Sequence, residues 1–205
     1  MGNGNKTRKK KLFVVVGKTS TGKDTVCNYM NQRYGIKPVV SYSTREMRSY
    51  EKNGVQHFFI SDQEMDELEK RDELEKRDDL LAWTKFPKTG IRYCATLSSI
   101  GDAETATYIL NPDGIDWMRG HADNLNAEII VIYMNLPEKA IRQRARLRGD
   151  DPEKIKERLA SESEEFDKFY DSGAFDFEVD ANVCKVKLFD QIDQILQANE
   201  VFPVA

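Results

Sequence analysis

The sequence predicts an α/β fold, a central parallel sheet with helices on both faces. Three observations carry this. The apolar run Leu12-Phe13-Val14-Val15-Val16 ends in Gly17 and is followed at once by a helical pattern. Strand-like apolar segments then alternate with helical ones along the chain. No linker rich in Pro, Gly or Ser divides the 205 residues, a length that suits one compact domain.

Residues 1–11 read as a solvated basic tail, with the first strand starting at Leu12. Gly2 opens a pattern that needs Ser or Thr at position six for myristoylation, and Lys6 stands there. From Asp24 to Tyr34, Val26, Tyr29 and Met30 are spaced for one helical face, and Gly35 is the expected C-cap. The short apolar piece Pro38-Val39-Val40 leads into the polar segment Ser41-Tyr42-Ser43-Thr44-Arg45. Residues 62–81 are dense in charge and repeat the hexamer Asp-Glu-Leu-Glu-Lys-Arg in tandem, at 66–71 and 72–77. One such unit turns a helix by about 600°, so the repeat predicts a longer exposed helix with its exit rotated by about a third of a turn.

Two more strands, both central, are expected at 107–110 and 128–134, where the residues are apolar and rich in β-branched and aromatic types. Pro137 is expected to start a helix running to Leu147, Gly149 to break it, and Pro152 to start another that carries Ile155, Leu159, Phe166 and Phe169. Residues 175–179 read as a last strand, and Val186 to Leu196 as a closing helix.

Composition narrows the function. With 31 basic and 35 acidic residues the net charge is -4, so anion binding has to come from local clusters and nucleic acid is not an expected partner. No apolar run has the length of a membrane span, and the N-terminus lacks the apolar stretch of a secretory signal. Cys27, Cys94 and Cys184 show no metal-like spacing and read as reduced thiols of a cytoplasmic protein, monomeric or homodimeric.

Gly17-Lys18-Thr19-Ser20-Thr21-Gly22-Lys23 matches GxxxxGK, between a predicted strand and a predicted helix as that motif requires. Consecutive backbone N–H groups and a helix N-terminus converge there on a phosphate, and Lys23 adds a point charge. Asp24 follows, where a Ser or Thr usually binds Mg²⁺ directly, and Thr25 comes next. Two roles stay open for Asp24: it holds a Mg²⁺-bound water, or it is a favourable acid in the first helical turn. The second signal is Ser43-Thr44-Arg45-Glu46-Met47-Arg48, followed by Glu51, Asn53-Gly54 and His57-Phe58-Phe59. Arginines three apart can grip one dianion from two sides. The third is the basic run Arg142, Arg144, Arg146 and Arg148, with Arg158 on the next helix. Arg144 and Arg148, four apart, share one helical face.

From Leu12 onward the chain resembles the guanylate kinase family, in which a phosphate-loop kinase core carries a monophosphate-binding lobe and an arginine-rich lid. The resemblance implies a lobe at about 42–106, a lid at about 138–158 and a domain of 12–205. It implies ATP as donor, Mg²⁺ as cofactor and a nucleoside monophosphate as acceptor, GMP or dGMP first. Residues 17–25 would then bind ATP. Ser41, Arg45, Arg48, His57, Tyr93, Asn111 and Asp113 would hold the acceptor, with His57 standing where the family has a tyrosine. Arg144, Arg148 and Arg158 would act with Lys23 and Arg45 on the transferring group.

The chain departs from the family where guanine is read. Ala82 stands in place of a glutamate, Ala95 in place of a serine, and Asn111 in place of the first of two aspartates, with Asp113 keeping the second. Such losses predict weakened guanine selection, because buried polar contacts reject a wrong base by being left unpaired. Two rival readings remain: a kinase for another base or for deoxynucleotides, and a noncatalytic guanylate-kinase-like binding module, against which Lys23 argues.

Overall fold

A computed structural model describes residues 9–48, 51–75, 80–86, 89–121 and 126–204, excepting the side chains of 71–75. Most of the predicted basic tail, and the end of the second hexamer, lie outside the described residues.

The larger of two sheets is wholly parallel. Strands β1 (Lys10–Val16), β2 (Lys37–Pro38), β7 (Thr105–Ile109), β8 (Ala127–Asn135) and β9 (Phe177–Asp180) lie in the order β2-β7-β1-β8-β9. Thus β7 and β8 flank β1 directly, as their composition predicts. In β1, Phe13 and Val15 face one apolar cluster while Leu12, Val14 and Val16 face another. In β8, Ile130, Ile132 and Met134 divide from Val131 and Tyr133 in the same way. Burial on both faces explains why these strands read as unbroken apolar runs rather than alternating ones.

Helices α1 (Lys23–Tyr34), α4 (Glu138–Arg148), the first half of α5 (Pro152–Ser172) and α6 (Lys185–Ala198) cover the first face. The second is covered by α3 (Pro112–Gly120), the far half of α5 and two strands of the smaller sheet. Helix α5 starts on a signal visible in the sequence: the Asp151 side chain caps Glu153 N–H at 2.9 Å, and Pro152 fills the first turn where no N–H is needed.

The smaller sheet has the order β4-β3-β6-β5, formed by β3 (Ser41–Ser43), β4 (His57–Phe59), β5 (Leu80–Lys85) and β6 (Arg92–Thr96). The chain enters and leaves it between β2 and β7, which are themselves paired. Helix α2 (Asp62–Glu75) holds the whole first hexamer, and β5 has begun by Leu80, so the charged segment is not helical to residue 81. Nor is this helix simply exposed. Met65 is fully buried, and Asp62, Asp66 and Glu69 converge on Arg92 of β6 at 2.9, 2.5 and 3.2 Å. The last strand begins at Phe177 rather than 175, because Phe175 stacks on Tyr133 and Asp176 exchanges hydrogen bonds with the Val131 backbone.

Candidate active site

The loop after β1 is shaped by close approach and by unusual dihedrals. A Cβ at Gly17 would meet the Met134 carbonyl oxygen at 2.8 Å, so only glycine lets the chain pass β8 there. Ser20 and Gly22 have φ of 58° and 100°. A non-glycine residue in that region costs about 1 kcal/mol and marks a loop whose shape is imposed from outside. The outside contacts come from α4 and α5. Arg144 donates to the Thr21 carbonyl at 3.0 Å and to the Ala181 carbonyl. Arg148 reaches the Ser20 hydroxyl at 3.2 Å and pairs with Asp150. Lys18 pairs with Asp167 at 2.7 Å.

Lys23 curls over the loop, donating to the carbonyls of Gly17 and Lys18 at 2.6 and 3.0 Å. Burial pulls its ammonium down to about 8, against the opposing pull of the Glu162 carboxylate. Glu162 itself is buried, accepting from the Thr19 N–H at 2.8 Å and from Arg158 Nε at 2.7 Å. Lys23, Arg144, Arg148 and Arg158 are thus gathered around one loop. Arg142 instead pairs with Glu138 along its own helix, and Arg146 is exposed. Asp24 is exposed in the first turn of α1, with Thr25 partly covered beside it.

A second cluster lines one face of the smaller sheet. Ser41 Oγ and His57 Nδ1 share a hydrogen bond of 2.8 Å, and the His57 and Tyr93 rings meet edge to face at 5.4 Å. Arg45 makes a bidentate pair with Glu51 at 2.7 and 2.6 Å and covers the Phe59 ring. That pair holds the Glu51 carboxyl down to about 2. Glu51 also accepts from the Arg48 N–H at 2.8 Å, bringing both arginines to one carboxylate. Burial, helped by the charge of Arg45, pushes the His57 imidazolium down to about 4, so the ring is neutral near pH 7. On the same sheet Ala82 lies directly opposite Ala95, both buried, and the buried Thr84 hydroxyl has no hydrogen-bond partner among the described residues.

Asn111 and Asp113 lie at the start of α3, against α5. Asn111 caps the helix, accepting from Gly114 N–H at 3.2 Å, and donates to Glu165 at 2.9 Å. The Asp113 N–H reaches the same Glu165 oxygen at 3.3 Å. Sequence reasoning missed the acids of α5. A signal was present for Glu162: it falls in the row Ile155, Leu159, Phe166, Phe169, where spacing calls for an apolar residue. Among the described residues no group of three or more His, Cys, Asp or Glu side chains is placed to hold a metal ion, and no helix is long and apolar enough to cross a membrane.

Comparison with known proteins places the chain in a family. A guanylate kinase of Malacoplasma penetrans is 27% identical over 161 residues, covering 75% of this chain and 78% of that protein. One of a Polaromonas species is 29% identical over 185 residues, covering 87% and 83%. The crystal structure of guanylate kinase from Anaplasma phagocytophilum superposes over 94% of this chain and 87% of its own with a TM-score of 0.62, at 19% identity. The family model described as guanylate kinase matches residues 9–198, nearly the whole sequence, and the chain therefore belongs to the guanylate kinase family.

Proposed function

We propose that this protein moves the γ-phosphoryl group of ATP onto a nucleoside monophosphate, with GMP or dGMP as the first acceptors to test. The observation that carries the proposal is the pairing of two anion-seeking clusters on separate sheets. One is the glycine loop with Lys23, Arg144, Arg148 and Arg158; the other is Arg45 and Arg48 beside His57, Ser41 and Tyr93. Residues 17–25 take the donor. The lobe built on the smaller sheet, 41–96, takes the acceptor phosphate, and residues 138–158 act as the lid.

Transfer between two phosphates needs positioning and charge neutralisation more than covalent help, and the acceptor phosphate is itself the nucleophile. In the reaction Arg45 exchanges its hold on Glu51 for the acceptor phosphate. Lys23 leaves the loop carbonyls for the outer phosphates of the donor. Asp24, an exposed single carboxylate, suits Mg²⁺, which keeps most of its waters and takes only one or two protein ligands beside phosphates. Bound there, Mg²⁺ would neutralise charge on the phosphates.

A second reading concerns the base. Ala82 and Ala95, paired across β5 and β6, offer no polar side-chain atom. We infer relaxed selection among bases, with GMP used about ten- to hundredfold less well than by an enzyme with polar groups there. The test is a screen of ribo- and deoxynucleoside monophosphates with ATP and Mg²⁺, read as ADP release, with Lys23→Met alongside. Wild type should turn over at least one acceptor. The folded variant should lose activity by about three orders of magnitude while keeping its Tm. Retained activity in that variant would remove the loop from the reaction, and strong exclusion of AMP, CMP and UMP by wild type would refute the relaxed selection.

A further inference from the structure

Glu162 is a buried acid that transfer, as described, does not use. Its position in the apolar row of α5 makes it expensive: Ile155 and Leu159 on one side and Phe166 and Phe169 on the other are all buried, and a carboxylate among them loses much of its hydration. Both oxygens are committed, Oε2 to the Thr19 N–H at 2.8 Å and Oε1 to Arg158 Nε at 2.7 Å. A loop N–H and a guanidinium, with the Lys23 ammonium close by, form the donor set that a phosphate oxygen seeks. The arginine, moreover, is not locked in: its side chain keeps 48% of its accessible surface while that of Glu162 keeps 11%. A helix-to-loop staple needs only a neutral acceptor for the Thr19 N–H, such as an amide at 162 would supply, and no half-exposed cation.

We propose that Glu162 is a positioning residue that acts as an internal anion. In the empty enzyme it occupies the Thr19 N–H and stores Arg158 at the loop, and both are handed to the terminal phosphate of the donor on binding. This rests on the glycine loop being the donor site. The carboxylate then competes with the third phosphate of ATP and much less with ADP, whose chain ends one phosphate earlier. It weakens donor binding and leaves ADP binding nearly unchanged.

The experiment measures ATP and ADP binding to wild type, Glu162→Gln and Glu162→Met by calorimetry without acceptor, with Tm and circular dichroism as folding controls. Gln keeps the shape and removes the charge; Met completes the apolar row. The expected result is ATP bound about tenfold more tightly by the variants, with ADP changed by less than about twofold. If folded variants bind ATP no tighter than wild type, or if both nucleotides gain equally, the inference is overturned. If neither variant folds, Glu162 belongs to the scaffold and the inference is equally overturned. Failure of wild type itself to bind ATP would instead overturn the functional reading and remove the ground for this one.

Discussion

His57 carries a pH dependence that belongs to one side chain. Its ordinary value of 6.5 falls to about 4 in the folded protein, because burial and the neighbouring Arg45 disfavour the imidazolium. The unfolded chain therefore binds the proton more readily. Stability is complete above about pH 6.5 and declines as pH falls toward 4, by at most about 3 kcal/mol. Glu51 adds a second, lower window: its carboxyl, held down to about 2 by Arg45, loses its contribution as pH falls from 4.5 toward that value. We expect His57→Tyr to flatten the decline between about pH 6.5 and pH 4 and to leave the part below about pH 4 intact. Thermal melts across that range check it, and an unchanged slope in the variant would assign the decline to other groups.

At the scale of elements, Arg92 ties α2 to β6. It is 9% exposed and meets Asp62, Asp66 and Glu69, the last of which also accepts from the Trp83 indole at 2.8 Å. Arg92→Met would leave three acids facing one another without their cation. The acids are partly solvated, which tempers the loss to about 2 kcal/mol in urea unfolding. A loss within about 0.3 kcal/mol of zero would show that Met65 and its apolar contacts alone seat the helix. This tie also shows what the sequence could and could not disclose. β1, β8 and α1 were legible because their residues carry long apolar or periodic signals on their own. β4, β5 and β6 are short, and one of them buries an arginine whose meaning depends on acids 23 to 30 residues upstream. The glycine loop and the two arginine groups were legible as local motifs. Glu162 and Asp167, which meet the loop from a distant helix, and Glu165, which meets Asn111, take their roles from the fold that brings α5 there; of the three only Glu162 left a trace in the sequence, as a break in an apolar row.

For the whole molecule, the division into two sheets makes the proposed donor and acceptor sites separable. Arg45 is anchored within the smaller sheet and its loops, through Glu51 and Phe59, while the loop around Lys23 is anchored by α4 and α5. Arg45→Ala should accordingly raise the KM for the monophosphate by at least about tenfold and lower kcat, with the Kd for ATP changed by less than about twofold. Steady-state kinetics with varied acceptor, beside ATP calorimetry, separates the two effects. A variant that loses ATP affinity and keeps its acceptor KM would reverse the assignment of the sheets.

The pairing of β2 with β7 has a consequence for how such a protein can change over generations. Lys37 and Pro38 lie beside Ala106 and Thr107, so the chain departs for the smaller sheet and returns at neighbouring strands, about 4.8 Å apart. The 66 residues between them, 39–104, form a guest whose two ends are held together by the host. Doubling the length of such a guest raises the entropy of closing it by only about 0.6 kcal/mol. Copying a hexamer inside it leaves the host's strand order untouched. The tandem Asp-Glu-Leu-Glu-Lys-Arg lies within this guest, where an inheritable insertion can reshape the proposed acceptor site while the loop proposed to hold the phosphate donor stays as it was.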